Sequence, residues 1–307
     1  MNPKTIFFVG LILTASGVVS PPVALLAGIV YGFTFKHPYH LDSRNLSRFL
    51  LQAAVVALGF GMNLRQVVHA GKAGFLYTAI SISTAMLLGW LLGRVLGVTK
   101  KASFLITAGT AICGSSAIAA IAPITRPDEE EMAMSLGTVF ILNSVALLLF
   151  PAIGFALHMS QTQFGLWAAL AIHDTSSVVG AAAKYGTLAL QIGTTVKLAR
   201  ALWIVPVAML TAYASKSKTR IQWPWFILLF CLAAVANTYF PAAAMVYPVF
   251  SHLGRLGLTV VLFLIGTGLS KETLRRVGIR PFLQGVCLWA IVAVASLFAI
   301  RAGWISL

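Results

Sequence analysis

Apolar runs long enough to cross a lipid bilayer constrain this chain more than any other feature. Such runs lie at about 75–98, 103–125, 132–157, 190–214 and 281–300. A hydrocarbon core about 30 Å thick is crossed by roughly 20 residues of helix. Of the 307 residues, 59% are hydrophobic and only 9% are charged, whereas a soluble domain has about 25% charged residues. The sequence therefore predicts an all-α polytopic membrane protein.

Further apolar runs fill most of the remaining chain. They lie at about 5–20, 21–35, 48–64, 163–183, 223–243 and 253–270. The total is ten or eleven transmembrane helices, and the sequence leaves open whether residues 5–35 form one span broken at a proline pair or two short spans. No loop is long enough for a soluble domain. We therefore predict one transporter domain over 1–307, with halves at about 1–157 and 158–307.

Positive charge is concentrated in alternate short loops. Twelve Lys and Arg residues lie in loops 36–48, 100–101, 216–220 and 271–280, and five lie in the opposite loops. Cytoplasmic loops carry the excess of Lys and Arg, so the first set is predicted to be cytoplasmic. The C-terminus and the acidic run at 128–131 then lie outside. The net charge of +15 is explained by this topology, which argues against nucleic-acid binding.

The three cysteines lie inside apolar runs. Cys113, Cys231 and Cys287 form neither a CxxC motif nor a metal-ligand spacing, which predicts buried, reduced thiols. No metal and no cofactor is expected.

Two weak internal matches suggest repeats. Residues 46–62 resemble residues 253–269, and the pair Gly109-Thr110 resembles Gly266-Thr267. The two matches imply different offsets, so at most one is the true register. Both relate spans of opposite direction, which predicts inverted-topology repeats, a common plan among transporters.

The first polar interruption is T-A-G-T-A-I-C-G-S-S-A-I-A-A-I-A-P at 107–123. Its Gly, Thr and Ser residues have two explanations. Small residues allow helices to pack closely in lipid. The same residues suit a helix that unwinds in mid-membrane, so that the second half-helix points its positive N-terminus at an anion.

The second interruption is I-H-D-T-S-S-V-V-G at 172–180. Asp174 is the one acidic side chain expected within a span. Beside His173 it could relay protons or pair with a cation, or it could cap a helix beginning at Thr175; both roles are compatible.

The third interruption is a pair of cations. Lys197 and Arg200 are three residues apart, which places them on one helical face, and they lie midway along the run 190–214. Asp174 supplies at most one counter-charge, so a bound anion is the expected second partner. Asn143 could donate to the same anion or bond a neighbouring helix.

Three segments carry a family resemblance. G-T-A-I-C-G-S-S-A-I-A-A, F-G-L-W-A-A-L-A-I-H-D-T-S-S-V-V-G-A-A and V-K-L-A-R-A-L-W-I-V-P resemble the YeiH-type family of bacterial inner-membrane proteins, labelled as sulfate exporters. That family is grouped with the cation/proton antiporter and anion transporter superfamily. The resemblance implies two inverted five-helix repeats with two crossing broken helices. It places the breaks near Gly109–Ser116 and Gly266–Gly268. The paired aspartates of sodium/proton antiporters have no counterpart, since Asp174 stands alone.

The function expected is secondary transport of a small anion such as sulfate, sulfite or an organic sulfonate, by a protein that is not an enzyme. Its expected location is the bacterial inner membrane. The expected partners are the anion, the lipid bilayer and a coupling proton or sodium ion; a homodimer stays open. The predicted substrate-binding residues are Gly109, Thr110, Cys113, Gly114, Ser115, Ser116, Asn143, His173, Asp174, Thr175, Ser176, Ser177, Lys197, Arg200, Gly266, Thr267 and Gly268.

Two alternatives remain. The first is a passive anion channel, because a fold does not separate a channel from a carrier. The second is an intramembrane serine hydrolase with Ser115 or Ser116 as nucleophile. It is disfavoured because neighbouring residues on one helix point in different directions, so Asp174 could not readily orient the ring of His173.

Overall fold

The computed structural model describes residues 2–35, 40–62, 64–215, 225–240, 245–268 and 278–305, and its regular structure within these ranges is helical, as predicted. The helices are α1 (Pro3–Ala15), α2 (Pro21–Thr34), α3 (His40–Gly59), α4 (Leu64–Val95), α5 (Lys100–Ala111), α6 (Ser115–Thr125), α7 (Glu129–Ala156), α8 (Gln161–Ala171), α9 (Thr175–Tyr185), α10 (Thr187–Ala201), α11 (Ile204–Ala214), α12 (Trp225–Tyr239), α13 (Tyr247–Thr267) and α14 (Ile279–Arg301). Loop 216–220 and most of loop 271–280, used above to predict the orientation, lie outside the described residues.

Five helical stretches within the described ranges are long and apolar enough to span a membrane. They are Tyr77–Val95, Glu130–Ala156, Thr187–Ala214, Tyr247–Thr267 and Ile279–Arg301. Shorter apolar helices accompany them. The chain is thus a polytopic membrane protein.

The chain divides into two compact units. Unit 1 comprises Met1–His69 and Pro224–Lys271, and unit 2 comprises Ala70–Trp223 and Glu272–Leu307. These units are interleaved along the chain, whereas the sequence suggested halves that meet near residue 157. The prediction of a single domain stays a prediction.

In unit 1, α1 and α2 run antiparallel to each other. The Tyr31 hydroxyl near the end of α2 donates to the Pro3 carbonyl at the start of α1, at 3.0 Å. The ring of Phe7 packs on the rings of Tyr31 and Phe263. Residues 5–35 are therefore two helices that form a hairpin, which answers the question that the sequence left open.

Helix α13 packs against both α2 and α3 in unit 1. Gly28 and Gly266 face each other, and a Cβ built on Gly266 would lie 2.8 Å from the backbone nitrogen of Ile29. Small residues at such a contact let two helices approach closely. The resemblance placed a break near Gly266–Gly268, but α13 continues through Gly266 and ends at Thr267. Gly266 is thus a packing residue inside the helix. Residues 269–277 lie outside the described residues, so the predicted break at this place stays a prediction.

In unit 2, α5 and α6 form a second antiparallel pair, here called hairpin 1 (residues 100–125). The helix breaks at 112–114, within the predicted interruption. The Lys101 ammonium at the start of α5 donates to the Arg126 carbonyl at the end of α6, at 2.8 Å. A continuous span of 25 residues would separate these ends by about 37 Å at 1.5 Å per residue. The chain therefore turns back at the break.

Helices α8 and α9 repeat this arrangement as hairpin 2 (residues 161–185). The break lies at 172–174. The Gln161 side chain at the start of α8 accepts from the Leu188 amide just beyond α9, at 3.0 Å. The rings of Phe164 and Tyr185 stack with centroids 3.8 Å apart. The resemblance predicted a crossing broken helix near Gly109–Ser116, and the structure has hairpin 1 there instead.

Helix α7 connects the two hairpins, and each hairpin is anchored at a different end of it. Thr99, which precedes hairpin 1, donates to Glu131 in the first turn of α7. Tyr185, which ends hairpin 2, donates to the Met159 carbonyl just after α7. The 28 residues of α7 span about 42 Å. The hairpins thus enter unit 2 from opposite ends, an inverted arrangement.

This geometry corrects the predicted side of the acidic run. The charge pattern of the sequence predicts residues 128–131 on the side opposite Lys100 and Lys101. The contacts of Lys101 with Arg126 and of Thr99 with Glu131 place that run at the same end as these lysines. The physical reason is that hairpin 1 does not cross the membrane.

Candidate functional site

The tips of the two hairpins meet inside unit 2. Gly114, the last residue of the hairpin 1 tip, has φ 65° and ψ −131°, a conformation that glycine adopts most readily. A Cβ built on Gly114 would lie 3.2 Å from the Cα of Asp174 in the hairpin 2 tip. Asn143, midway along α7, accepts from the Asp174 amide at 3.0 Å. The junction therefore lies near the middle of α7.

The end of α8 is held by side chains from two other helices. The last carbonyls of a helix have no partner within the helix. Lys197 on α10 donates to the carbonyl of Ile172 at 2.6 Å and to that of Ala169 at 3.4 Å. Arg200 donates to the Leu170 carbonyl at 2.6 Å, and the Trp289 indole on α14 donates to the Ala171 carbonyl at 3.1 Å. The carbonyls of residues 169–172 are thus all paired.

Arg200 also joins the two hairpins. Its Nε donates to the Ala111 carbonyl, the last of α5, at 2.6 Å, while its Nη1 donates to Leu170 on α8. Helix C-termini carry partial negative charge, so the two cations on α10 lie where the ends of α5 and α8 stabilise them. This corrects the expectation that a bound anion must supply the second counter-charge. The direct partners of Lys197 and Arg200 are helix ends.

The helix N-termini at the junction differ from each other. Asp174 caps α9, because its carboxylate accepts from the Ser176 amide at 3.1 Å and from the Ser176 hydroxyl. The capping role proposed for Asp174 is therefore observed. Gly114 precedes α6 and offers no side-chain cap. Ser115 is half-buried and Ser116 is exposed, so the start of α6 is the accessible, uncapped, positive end at the junction.

Several buried polar atoms near the tips lack a hydrogen-bond partner among the described residues. They are Thr110 Oγ1, Asn143 Nδ2, both ring nitrogens of His173, and Arg200 Nη2. Most buried polar groups in proteins are paired, so this concentration marks the junction as a place where a polar ligand would be stabilised.

Cations outnumber carboxylates at the junction. Among the described residues, the buried charged side chains are Lys197, Arg200, Asp174 and Glu131. Glu131 is held at the first turn of α7 by Thr99 and the Asp128 amide. Twelve residues of helix separate it from Asn143, about 18 Å. With Lys197, Arg200 and Asp174 all ionised, the junction carries one positive charge in excess.

Most of the predicted site residues come together. Fourteen of the seventeen lie in unit 2, on the two hairpins, α7 and α10. The other three, Gly266, Thr267 and Gly268, lie in unit 1 at the end of α13. Cys113 is buried at the hairpin 1 tip. The substrate-binding role of these residues stays a prediction.

The hydrolase alternative gains nothing from this geometry. The Asp174 carboxylate accepts from Ser176, and His173 bonds neither Asp174 nor a serine within the described residues. A nucleophile paired with a base is the feature such chemistry requires.

Sequence reasoning missed Trp289. Its indole pairs with the end of α8, and its ring lies edge-on to His173 at a centroid distance of 6.5 Å. A tryptophan in an apolar run gives no sign of this contact.

Gln284 on α14, which belongs to none of the sequence motifs, was also missed. Its side-chain amide donates to Gly89, Ser103 and Thr107 and so fixes α5 against α4. An amide inside the run 281–300 was a usable signal for it.

Fold and site together define a class of protein: an all-helical membrane protein in which two oppositely directed hairpins meet at buried charges. Within that class, the chain belongs to the family described as Conserved hypothetical protein 698, which matches residues 6–285. This confirms the family resemblance inferred from the sequence.

Relatives from several bacteria match over nearly the whole chain. A UPF0324 membrane protein of Bacteroides thetaiotaomicron is 48% identical, covering 91% of this chain and 86% of the relative. UPF0324 membrane protein Bd1437 of Bdellovibrio bacteriovorus is 49% identical, covering 98% and 95%. UPF0324 membrane protein GSU2818 of Geobacter sulfurreducens is 44% identical, covering 97% and 96%. These names state a membrane protein and no activity.

Proposed function

We propose that the protein is a secondary transporter of a small anion, such as sulfate, sulfite or an organic sulfonate, in the bacterial inner membrane. The observation that carries this proposal is the uncapped N-terminus of α6 beside one excess positive charge in the membrane interior. A net charge is costly at this depth even when its donors are hydrogen-bonded to carbonyls, and half-helix N-termini bind anionic substrates in known transporter folds.

Each group of residues would have a different role in binding and transporting the anion. The amides at the start of α6 and the hydroxyls of Ser115 and Ser116 would hold the anion directly. Lys197 and Arg200 donate to backbone carbonyls. They would therefore attract the anion through their positive electrostatic potential and not mainly through direct hydrogen bonds. The unpartnered donors of Thr110, Asn143 and Arg200 are available to the anion. His173, whose ring nitrogens are unpartnered in the described structure, is our candidate for a coupling proton.

Anion-induced thermal stabilisation of the purified protein tests the site. Lys197→Gln removes the charge and keeps a donor for the carbonyls of α8. We expect its apparent affinity for sulfate, sulfite and sulfonates to fall by about tenfold or more, a change of 1.4 kcal/mol per factor of ten. Lys184→Gln is the matched control, since Lys184 is exposed at the end of α9. Equal responses from wild type, Lys197→Gln and Lys184→Gln would exclude this site.

Flux in liposomes separates a carrier from a channel. Radiolabelled substrate taken up by proteoliposomes should saturate with external concentration, and a trapped unlabelled anion should accelerate it. Flux that rises linearly and ignores the trapped anion would replace the carrier with the passive channel. An imposed pH gradient or sodium gradient identifies the coupling ion.

A further inference from the structure

The two hairpin tips share a common plan and differ in the residue that precedes the second arm. In each hairpin Arg200 binds a carbonyl in the last turn of the first arm, Ala111 in hairpin 1 and Leu170 in hairpin 2. In each, the second arm then begins near the junction with its amides free of intrahelical partners. The residue before the second arm is Gly114 in hairpin 1 and Asp174 in hairpin 2.

We propose that Asp174 is a built-in anion that limits the site to substrates with one negative charge, so that a sulfonate is preferred over sulfate. This rests on the proposed anion-transport function. The Asp174 carboxylate binds the start of α9 in the way that a substrate would bind the start of α6. One of two equivalent anion positions is therefore filled by the protein itself.

The charge count at the junction sets the preferred valence. Lys197 and Arg200 exceed Asp174 by one positive charge, and each of these three side chains is at least nine-tenths buried. A singly charged anion brings the junction to neutrality. A doubly charged anion leaves one negative charge unpaired, and electrostatic interactions are stronger in a medium of low dielectric constant than in water. Without Asp174 the excess would be two positive charges, which matches a doubly charged anion.

Polar side chains around the junction independently indicate a ligand. Arg200 Nη2, Asn143 Nδ2 and Thr110 Oγ1 are buried and have no partner within the described residues. Arg200 is anchored to the carbonyl that precedes the hairpin 1 tip, and Asn143 is anchored to the amide of Asp174. Their remaining donors suit the oxygen atoms of a tetrahedral oxyanion, and sulfate and sulfonate share that geometry.

Sulfate and methanesulfonate form a matched pair for the test. They are similar in size and shape, and a methyl group in one replaces a charged oxygen in the other. Thermal stabilisation of the detergent-solubilised protein is titrated with each sodium salt at constant ionic strength and neutral pH. For wild type, methanesulfonate should reach half-maximal stabilisation at a concentration about tenfold lower than sulfate. Asp174→Asn should reverse this order, because it removes the charge and keeps an acceptor for Ser176.

Two further variants act as controls. Ser176→Ala removes the hydroxyl that bonds Asp174 and leaves the carboxylate charge in place, so it should keep the wild-type order. Asp174→Glu also retains the charge and should keep that order. If Asp174→Asn does not fold, the wild-type comparison still decides whether the site prefers one charge.

The outcomes are distinct. Tighter binding of sulfate than of methanesulfonate by wild type overturns the valence proposal and leaves anion transport standing. An unchanged order in folded Asp174→Asn overturns the role of Asp174. A wild-type protein that neither anion stabilises overturns the proposed function itself and this inference with it.

Discussion

Arg200 binds the backbone of both hairpins, so its first role is to hold the two hairpins together. Its positive charge at the junction is a second role. Its guanidinium reaches Ala111 and Leu170, which lie on different hairpins, at 2.6 Å each. Arginine suits this position because its planar, permanently charged head presents several donors in fixed directions. The sequence identified the residue through its charge and its spacing from Lys197. It gave no indication that backbone carbonyls would be the partners.

Arg200→Met should therefore destabilise the protein even without any anion. The change leaves two buried carbonyl acceptors unpaired, and each costs about 1–3 kcal/mol. We expect a clearly lower melting temperature in detergent, and a smaller loss for Arg200→Lys, which retains a donor for one carbonyl. A melting temperature equal to that of wild type for Arg200→Met would contradict the bonds to Ala111 and Leu170.

Gly114 is the second residue whose replacement should be decisive. Gly114→Ala places a Cβ against Asp174 at 3.2 Å in a residue with φ +65°, so the tips must separate and the backbone is strained by about 1–3 kcal/mol. We expect reduced thermal stability and loss of anion-induced stabilisation.

Gly303→Ala is the matched control for Gly114. Gly303 also has positive φ, at +73°, but its added Cβ would meet nothing within 4 Å. The control should lose some stability and keep its full response to anions. If both variants lose the anion response equally, contact between the tips is not what forms the site.

At the level of the helices, the sequence predicted where they break better than which way the chain then runs. Each break is determined by residues at the break itself. Gly114 favours the backbone conformation that interrupts the helix, and Asp174 favours the capping position before Thr175 and Ser176. The reversal after each break depends on contacts between residues far apart in sequence, such as Lys101 with Arg126 and Gln161 with Leu188. No short motif encodes such contacts. Family resemblance supplied a crossing geometry that these contacts exclude.

Cross-linking tests hairpin 1 directly. Cysteines at Lys101 and Arg126, in a background with Cys113, Cys231 and Cys287 replaced by alanine, should be joined by a short bifunctional maleimide. The reason is that the Lys101 side chain reaches the Arg126 carbonyl at 2.8 Å. Pairing Lys101→Cys with Lys184→Cys serves as the negative control, because the two hairpins are anchored at opposite ends of α7. Cross-linking of the control pair alone would contradict the hairpin.

At the scale of the whole molecule, the two hairpins leave the charge-based orientation almost unchanged. Each hairpin removes one membrane crossing relative to the sequence-based topology, so the two effects cancel for every loop after α9. Two connections change sides. One joins α6 to α7 and contains Arg126, and the other joins α7 to α8. Arg126 thereby joins the loops rich in Lys and Arg, so the corrected topology follows the positive-inside pattern more closely than the original.

Sidedness of labelling tests this topology in intact cells. In the cysteine-free background, Lys101→Cys and Arg126→Cys should both be protected from a membrane-impermeant maleimide, whereas Lys184→Cys, exposed at the end of α9, should react. Permeabilised cells should label all three, which verifies that each cysteine is reachable. Helices that cross the membrane at the first break would instead make Arg126→Cys react together with Lys184→Cys. Because the positive charges fix only the absolute orientation, reaction of Lys101→Cys and Arg126→Cys together, with protection of Lys184→Cys, would invert the protein in the membrane while retaining both hairpins.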